Sequence, residues 1–177
     1  MMQAMIHALQ TLLLLVFPAL VITAALRDVV SYTIPNWISL ALVAGFPIAG
    51  LALGLPLQTL GLHLSLGAAA LVAAMAMFAL GWIGGGDAKL FAAAALWLGW
   101  PAILPFLAVT GIAGGLLAVG LLNLRSPILR AYVVRTPPWF ARLAEPGENV
   151  PYGVAIAIGA LAAFPGSALM LGLGLPI

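Results

Sequence analysis

The chain has no cysteine and very little charge. Among its 177 residues are six Lys and Arg and four Asp and Glu, 6% in all, where a soluble domain carries roughly a quarter. That shortage excludes an ordinary soluble globular domain, and so few basic groups give no support to nucleic-acid binding. The missing cysteine excludes disulfides, thiol nucleophiles and thiolate-bound zinc. His7 and His63 are the only histidines, so a histidine metal site is not expected, and no motif for another cofactor is present. The first ten residues hold no Lys or Arg, which a cleaved secretory signal needs. The apolar stretch Leu12–Leu26 therefore reads as a first membrane span.

What the chain does have is apolar length. Hydrophobic residues make up 65% of it and the mean hydropathy is +1.24, as expected of a multi-pass membrane protein. A span needs about 20 apolar residues, so the length suffices for five or six spans in one domain, 1–177. Six segments can be drawn, at about Ile6–Leu26, Ile38–Leu55, Leu60–Ile83, Ala88–Trp100, Ala102–Leu124 and Val150–Leu173. Turn chemistry separates them: Ile34-Pro35-Asn36, Leu55-Pro56, Gly84-Gly85-Gly86 and Gly99-Trp100-Pro101. The fourth segment is short, rising only about 20 Å. Counting it as a span puts every Lys and Arg in the connectors after spans 1, 3 and 5, on one side, as the positive-inside bias requires. The expected fold is all-α, a polytopic bundle of six transmembrane helices in the cell (inner, cytoplasmic) membrane. Both termini lie outside the cytoplasm and a cytoplasmic loop covers about 125–149. In that loop Arg125, Arg130 and Arg135 alternate with apolar and aromatic residues. This composition fits either a short helix in the lipid headgroup layer or a solvated basic loop. His63, near the outer face, reads as a lone interfacial polar residue. Membrane lipids are expected partners, and a homo-oligomer is compatible with the chain.

The only two aspartates are Asp28, at the end of the first segment, and Asp87, after three glycines in Gly84-Gly85-Gly86-Asp87. Ionisable groups beside membrane spans are expensive and by default functional. The six-span topology puts both at the cytoplasmic face. Two carboxylates sharing one proton can activate a water and polarise a peptide carbonyl. The glycines offer backbone freedom for a substrate strand to approach, and amide N–H groups near a helix start that could hold an oxyanion. Two other readings stand beside this one. Asp87 could simply cap a helix, and paired intramembrane carboxylates also serve proton-coupled transporters. Against a carrier, no internal repeat is visible and both aspartates belong to one face.

Taken together, Asp28 with Ile34-Pro35-Asn36, Gly84-Gly85-Gly86-Asp87-Ala88-Lys89-Leu90 and Pro151-Tyr152-Gly153-Val154-Ala155-Ile156 resemble the type IV prepilin peptidase family. The resemblance is nearest to the small branch serving tight-adherence (Flp) pili. It implies an intramembrane aspartic protease with Asp28 and Asp87 as the catalytic dyad, cutting the leader of prepilins or pseudopilins at the cytoplasmic side. Archaeal preflagellin peptidases resemble the same core. Larger relatives carry a cysteine-rich domain and also N-methylate the product, and neither cysteine nor that insertion occurs here. Supporting roles are assigned to Gly84, Gly85, Gly86, Lys89, Asn36 and Tyr152. Lys89 could face the headgroups or the dyad, Asn36 a loop or the substrate backbone, and Tyr152 the membrane interface or the site.

Overall fold

Every apolar segment becomes helix in the computed structural model, which describes residues 1–133 and 135–172, without the side chain of Ala4. The elements are α1 (Met2–Ser31), α2 (Asn36–Ala52), α3 (Leu57–Ala79), α4 (Gly85–Leu124), α5 (Pro127–Val133), α6 (Pro138–Leu143), α7 (Tyr152–Ala163) and α8 (Ala168–Leu171), with a 3₁₀ turn at Phe164–Gly166. No strand occurs among the described residues. By length and composition, four stretches can cross a membrane: Met5–Ser31, Leu57–Ala79, Gly85–Leu124 and Tyr152–Leu171. A fifth, Asn36–Ala52, is apolar but shorter. The C-terminal end of the sixth expected span, from Leu173, lies outside the described residues.

The 40-residue α4 is not straight. Gly99 (φ 60°) and Trp100 leave helical geometry and divide α4 into an arm over 85–98 and another over 101–124. On a straight helix Phe91 and Phe106 would stand about 22 Å apart, yet their ring centroids are 5.0 Å apart. The chain therefore doubles back at Gly99, and the fourth and fifth expected segments form a hairpin. A side chain at Gly99 would run into the His63 imidazole, so both the positive φ and the close approach require glycine.

The remaining helices alternate in direction. Gln10 Nε2 on α1 donates to the carbonyl of Ala52 at the end of α2 (3.0 Å), so α1 and α2 are antiparallel. Leu60 of α3 touches Gly50 of α2, and Gly67 touches Leu96. Gly114 faces Tyr152 and Ala155, while Gly159 faces Thr110, so α7 runs antiparallel to the 101–124 arm. One end of the bundle collects the turns after α1 and α3 and the segment from Arg125 to Pro151. The other collects the turn before α3 and the bend at Gly99. All six Lys and Arg belong to the first end.

Large aromatic side chains are buried toward the second end. Trp97, Phe17 and Phe46 are almost wholly buried. Phe17 stacks on Trp97 at 5.3 Å, and the Trp97 indole N–H donates to the Leu42 carbonyl at 2.7 Å. His63 belongs to this core. It has no exposed surface, lies against the Phe46 ring at 5.1 Å, and its Nδ1 is 2.8 Å from the Leu96 carbonyl, so Nδ1 carries the proton and donates. The interfacial position expected for His63 is corrected: the ring is buried and fills the elbow at Gly99, its Nδ1 bonded to the Leu96 carbonyl and its Nε2 without a partner among the described residues.

Candidate active site

Asp28 comes from the last turns of α1. The helix ends four residues later at Tyr32, a left-handed cap (φ 51°) whose N–H bonds the Asp28 carbonyl. Asp87 comes from the first turn of α4, where its Oδ2 accepts the Gly84 N–H at 3.1 Å and so closes the helix start. The first N–H groups of a helix have no intrahelical acceptor, and α7 uses one of them in the same way. The Gly153 N–H donates to Asp28 Oδ2 at 2.7 Å. Both aspartates are buried, at 5% and 7% exposure, and both line one cavity of about 450 Å³ together with Tyr32, Gly84, Glu148 and Tyr152. Asp87 Oδ1 is buried without a hydrogen-bond partner among the described residues. A buried carboxylate oxygen with no partner is costly, and it belongs to a residue that lines the cavity.

The other candidates divide. Gly84 and Tyr152 share the aspartate cavity. Gly85 and Gly86 do not line it. They belong to the first turn of α4, Gly85 under the Phe78 ring and Gly86 against Ile34, where an added Cβ would stand 3.1 Å from the Ile34 Cβ. The left-handed freedom expected of this run is used instead at Gly81, with φ 74°. Lys89 and Asn36 meet each other, Nζ donating to Oδ1 at 2.8 Å. They lie in a separate groove between α2, α3 and α4, so neither supports the aspartates directly. Lys89 is two positions beyond Asp87, which at 100° per residue turns its side chain toward a different face.

Three contributors escape a reading of the sequence. Gly153 supplies the amide that holds Asp28, and a Cβ there would stand 2.8 Å from Asp28 Oδ2. Its only signal was its place in Pro151-Tyr152-Gly153. Tyr32 roofs the cavity, and burial, with Glu148 nearby, pushes its phenol above the ordinary range. Glu148 closes the rim. It pairs with Arg142 at 2.8 Å, whose guanidinium lies 4.8 Å from the centre of the Tyr32 ring. The connector after α4 is thus tied back over the site. Arg125 adds bonds to the carbonyls of Leu143 (3.1 Å) and Asn149 (2.9 Å). Its two short helices, α5 and α6, leave Ile128, Tyr132 and Trp139 exposed.

No curated protein and no solved structure matches the chain significantly. The sequence model of the type IV leader peptidase family matches residues 15–119, more than half of the chain. That match includes both aspartates and the hairpin bend and stops before Gly153. With two buried carboxylates on one cavity in an all-helical apolar bundle, the chain belongs to the type IV leader peptidase family.

Proposed function

We propose that this protein is an aspartic endopeptidase of the cell membrane that removes the leader of type IV prepilins or pseudopilins of the Flp type, cutting at the cytoplasmic face. The observation that carries the reading is the meeting of Asp28 and Asp87, from helices far apart in sequence, at one cavity. Membership of a leader peptidase family supplies the reaction class. In this reading one carboxylate is ionised and takes a proton from a water, and the water oxygen bonds to the scissile carbonyl carbon. The other carboxyl gives its proton to the carbonyl oxygen. The tetrahedral diol then collapses, the C–N bond breaks, and the new amine leaves with a proton returned by the pair.

The membrane placement belongs to the same proposal. Chain 1–177 forms one membrane-embedded domain, and six spans with extracytoplasmic termini follow if the 85–98 arm crosses. The hairpin at Gly99 and the collection of all basic residues at the aspartate end support that, since cytoplasmic connectors concentrate Lys and Arg. A carrier would place its carboxylates near the midplane, whereas both here belong to one end. With no cysteine domain, the reading is peptidase without N-methylation.

Co-expression with an Flp-type prepilin, followed by mass analysis of the pilin, tests it. The expected product is a leaderless pilin without a methyl group, formed with excess chelator or thiol reagent present and absent with Asp87→Asn. Processing by a well-inserted Asp87→Asn protein would overturn the reading. A reporter fused near Pro137 should read cytoplasmic and one at Gln58 extracytoplasmic.

A further inference from the structure

Three grooves run along the apolar flanks of the bundle. One, of about 480 Å³, holds Asn36 and Lys89. Another, of about 540 Å³, lies between the 101–124 arm and α7 around Ile112 and Ile158. Neither touches an aspartate. The third, of about 470 Å³, lies between the end of α3 and the 101–124 arm, and it differs from the other two. Its lining includes Asp87, and it shares Trp82, Ile83, Asp87 and Tyr152 with the aspartate cavity. It therefore adjoins that cavity, with these four residues as the common wall.

The wall of this groove is unusual for an apolar surface. Gly111, Gly114, Gly115 and Ala118 form a strip of small residues down the 101–124 arm. Gly114 is occupied by Tyr152 and Ala155, but a Cβ at Gly111 or Gly115 would meet nothing within 4 Å. A small-xxx-small strip left open on a membrane helix allows a second helix to approach to backbone contact. Small residues alone do not make a site. The independent pointer is Asp87, 7% exposed, whose Oδ1 has no partner among the described residues and which lines the groove as well as the aspartate cavity.

We infer that this groove seats the apolar helix of the substrate, with Gly111 and Gly115 as specificity-determining positions and the chain N-terminal to that helix unwound in the aspartate cavity. The inference rests on the proteolytic reading above. Peptide bonds inside a helix have their carbonyls and N–H groups engaged, so the scissile bond must lie beyond the docked helix. The groove delivers its occupant to Asp87 at one end only, which sets where the helix stops. An apolar helix suits the walls: Leu107, Met77 and Trp82 are partly or largely exposed, and nothing charged borders the groove except Asp87.

The test uses the full-length protein in lipid nanodiscs and two synthetic peptides. The long one contains leader, cleavage site and apolar helix; the short one ends at the first residues after the cleavage site. Gly111→Leu and Gly115→Leu fill the strip. Gly120→Leu, on the same arm but outside the groove and equally open, is the control. The expected result is a KM for the long peptide raised by about tenfold or more by the strip variants, the scale of one lost helix contact. Cleavage of the short peptide should be unchanged, and Gly120→Leu should match the unaltered protein on both. A photo-reactive residue at 115 in an Asp87→Asn background should crosslink to the apolar helix of the long peptide. Equal effects on both peptides, an unaffected long peptide, or crosslinks only to lipid or to a second copy of this chain would each overturn the groove. An unaltered protein that cleaves neither peptide would instead overturn the proteolytic reading itself.

Discussion

At one end of the 85–98 arm stands Asp87, beside a cavity of about 450 Å³ and with a carboxylate oxygen that no described group satisfies. At the other end stand Trp97 and, against the bend, His63, each with no exposed surface. One helix thus joins an end that is hollow and polar to an end that is filled and aromatic. The contrast follows from what each must do. On the proteolytic reading, the aspartate end needs room for substrate and groups left free to bond it, and both work against tight packing. The hairpin elbow has the opposite need. With lipid on the outside no more hydrophobic than the helices themselves, close packing and buried hydrogen bonds must hold it together.

The sharpest way to break the comparison is to exchange the consequences of mutation at the two ends. Asp28→Asn and Asp87→Asn should each lower cleavage by about 10²- to 10⁴-fold, the scale of a lost acid–base group. Neither should much change the melting temperature of the detergent-solubilised protein. His63→Ala should do the reverse. It leaves a ring-sized cavity against Phe46 and an unpaired Leu96 carbonyl, a loss of about 2–4 kcal/mol in stability, while the protein that still folds keeps normal turnover. Gly99→Ala places a side chain in a positive-φ position and into the buried His63 ring, and should cost at least the backbone strain alone, about 1–3 kcal/mol. An Asp87→Asn protein that melts far earlier than His63→Ala would mean that the aspartate end is the structural one.

The two ends also differed in how far the sequence revealed them. Both aspartates stood out because charge is so rare in this chain, and the break at Gly99-Trp100-Pro101 was visible as turn chemistry. Which face of each helix turns inward was not visible. A helix in lipid is apolar all round, so no polar stripe marks the outside, and the burial of His63 or Trp97 could not be read from periodicity. For Lys89 the headgroups and the dyad both stood open, and for Asn36 a loop or the substrate backbone; their bond to each other joins residues 53 apart in sequence, a pairing that no local pattern shows. Gly153 escaped for another reason: its contribution is a backbone N–H, which no side-chain inventory shows.

That amide offers an intermediate case. In Gly153→Ala the new Cβ would stand 2.8 Å from Asp28 Oδ2 and 2.9 Å from Ile34 Cδ1. The carboxylate must then shift, at the site but not through loss of a catalytic group. Turnover should fall by about tenfold, on the order of what misplacing a reacting group by a fraction of an ångström to 1 Å produces, with only a modest loss of thermal stability. Restoration of full activity by neither a larger nor a smaller substrate side chain next to the scissile bond would fit a displaced Asp28. A Gly153→Ala protein as active as the parent would show that Asp28 tolerates movement, and the aspartate end would then be less finely built than the elbow.

The smallest effect concerns the rim. Arg142 holds Glu148 and covers Tyr32, and the hydrogen bond from Arg142 keeps the Glu148 carboxyl below its ordinary range. A depressed carboxyl stabilises the docked rim at pH values above its unfolded range, and that contribution is lost as the pH falls through the lowered value. The rim should therefore stay closed at neutral pH and loosen only in acid, as the pH falls below the ordinary glutamate range, about 4.3. The pair is exposed, and such pairs are weak and screened by salt. Arg142→Gln should thus change turnover by no more than a few-fold and leave the melting temperature nearly unchanged. Proteolytic nicking between Pro137 and Pro146 measures rim opening directly: it should increase in Arg142→Gln at neutral pH and in the unaltered protein only in acid, as the Glu148 carboxyl takes up its proton. Equal protection of both proteins at pH 7 would mean that the Arg125 bonds to Leu143 and Asn149 alone hold the segment over the aspartates.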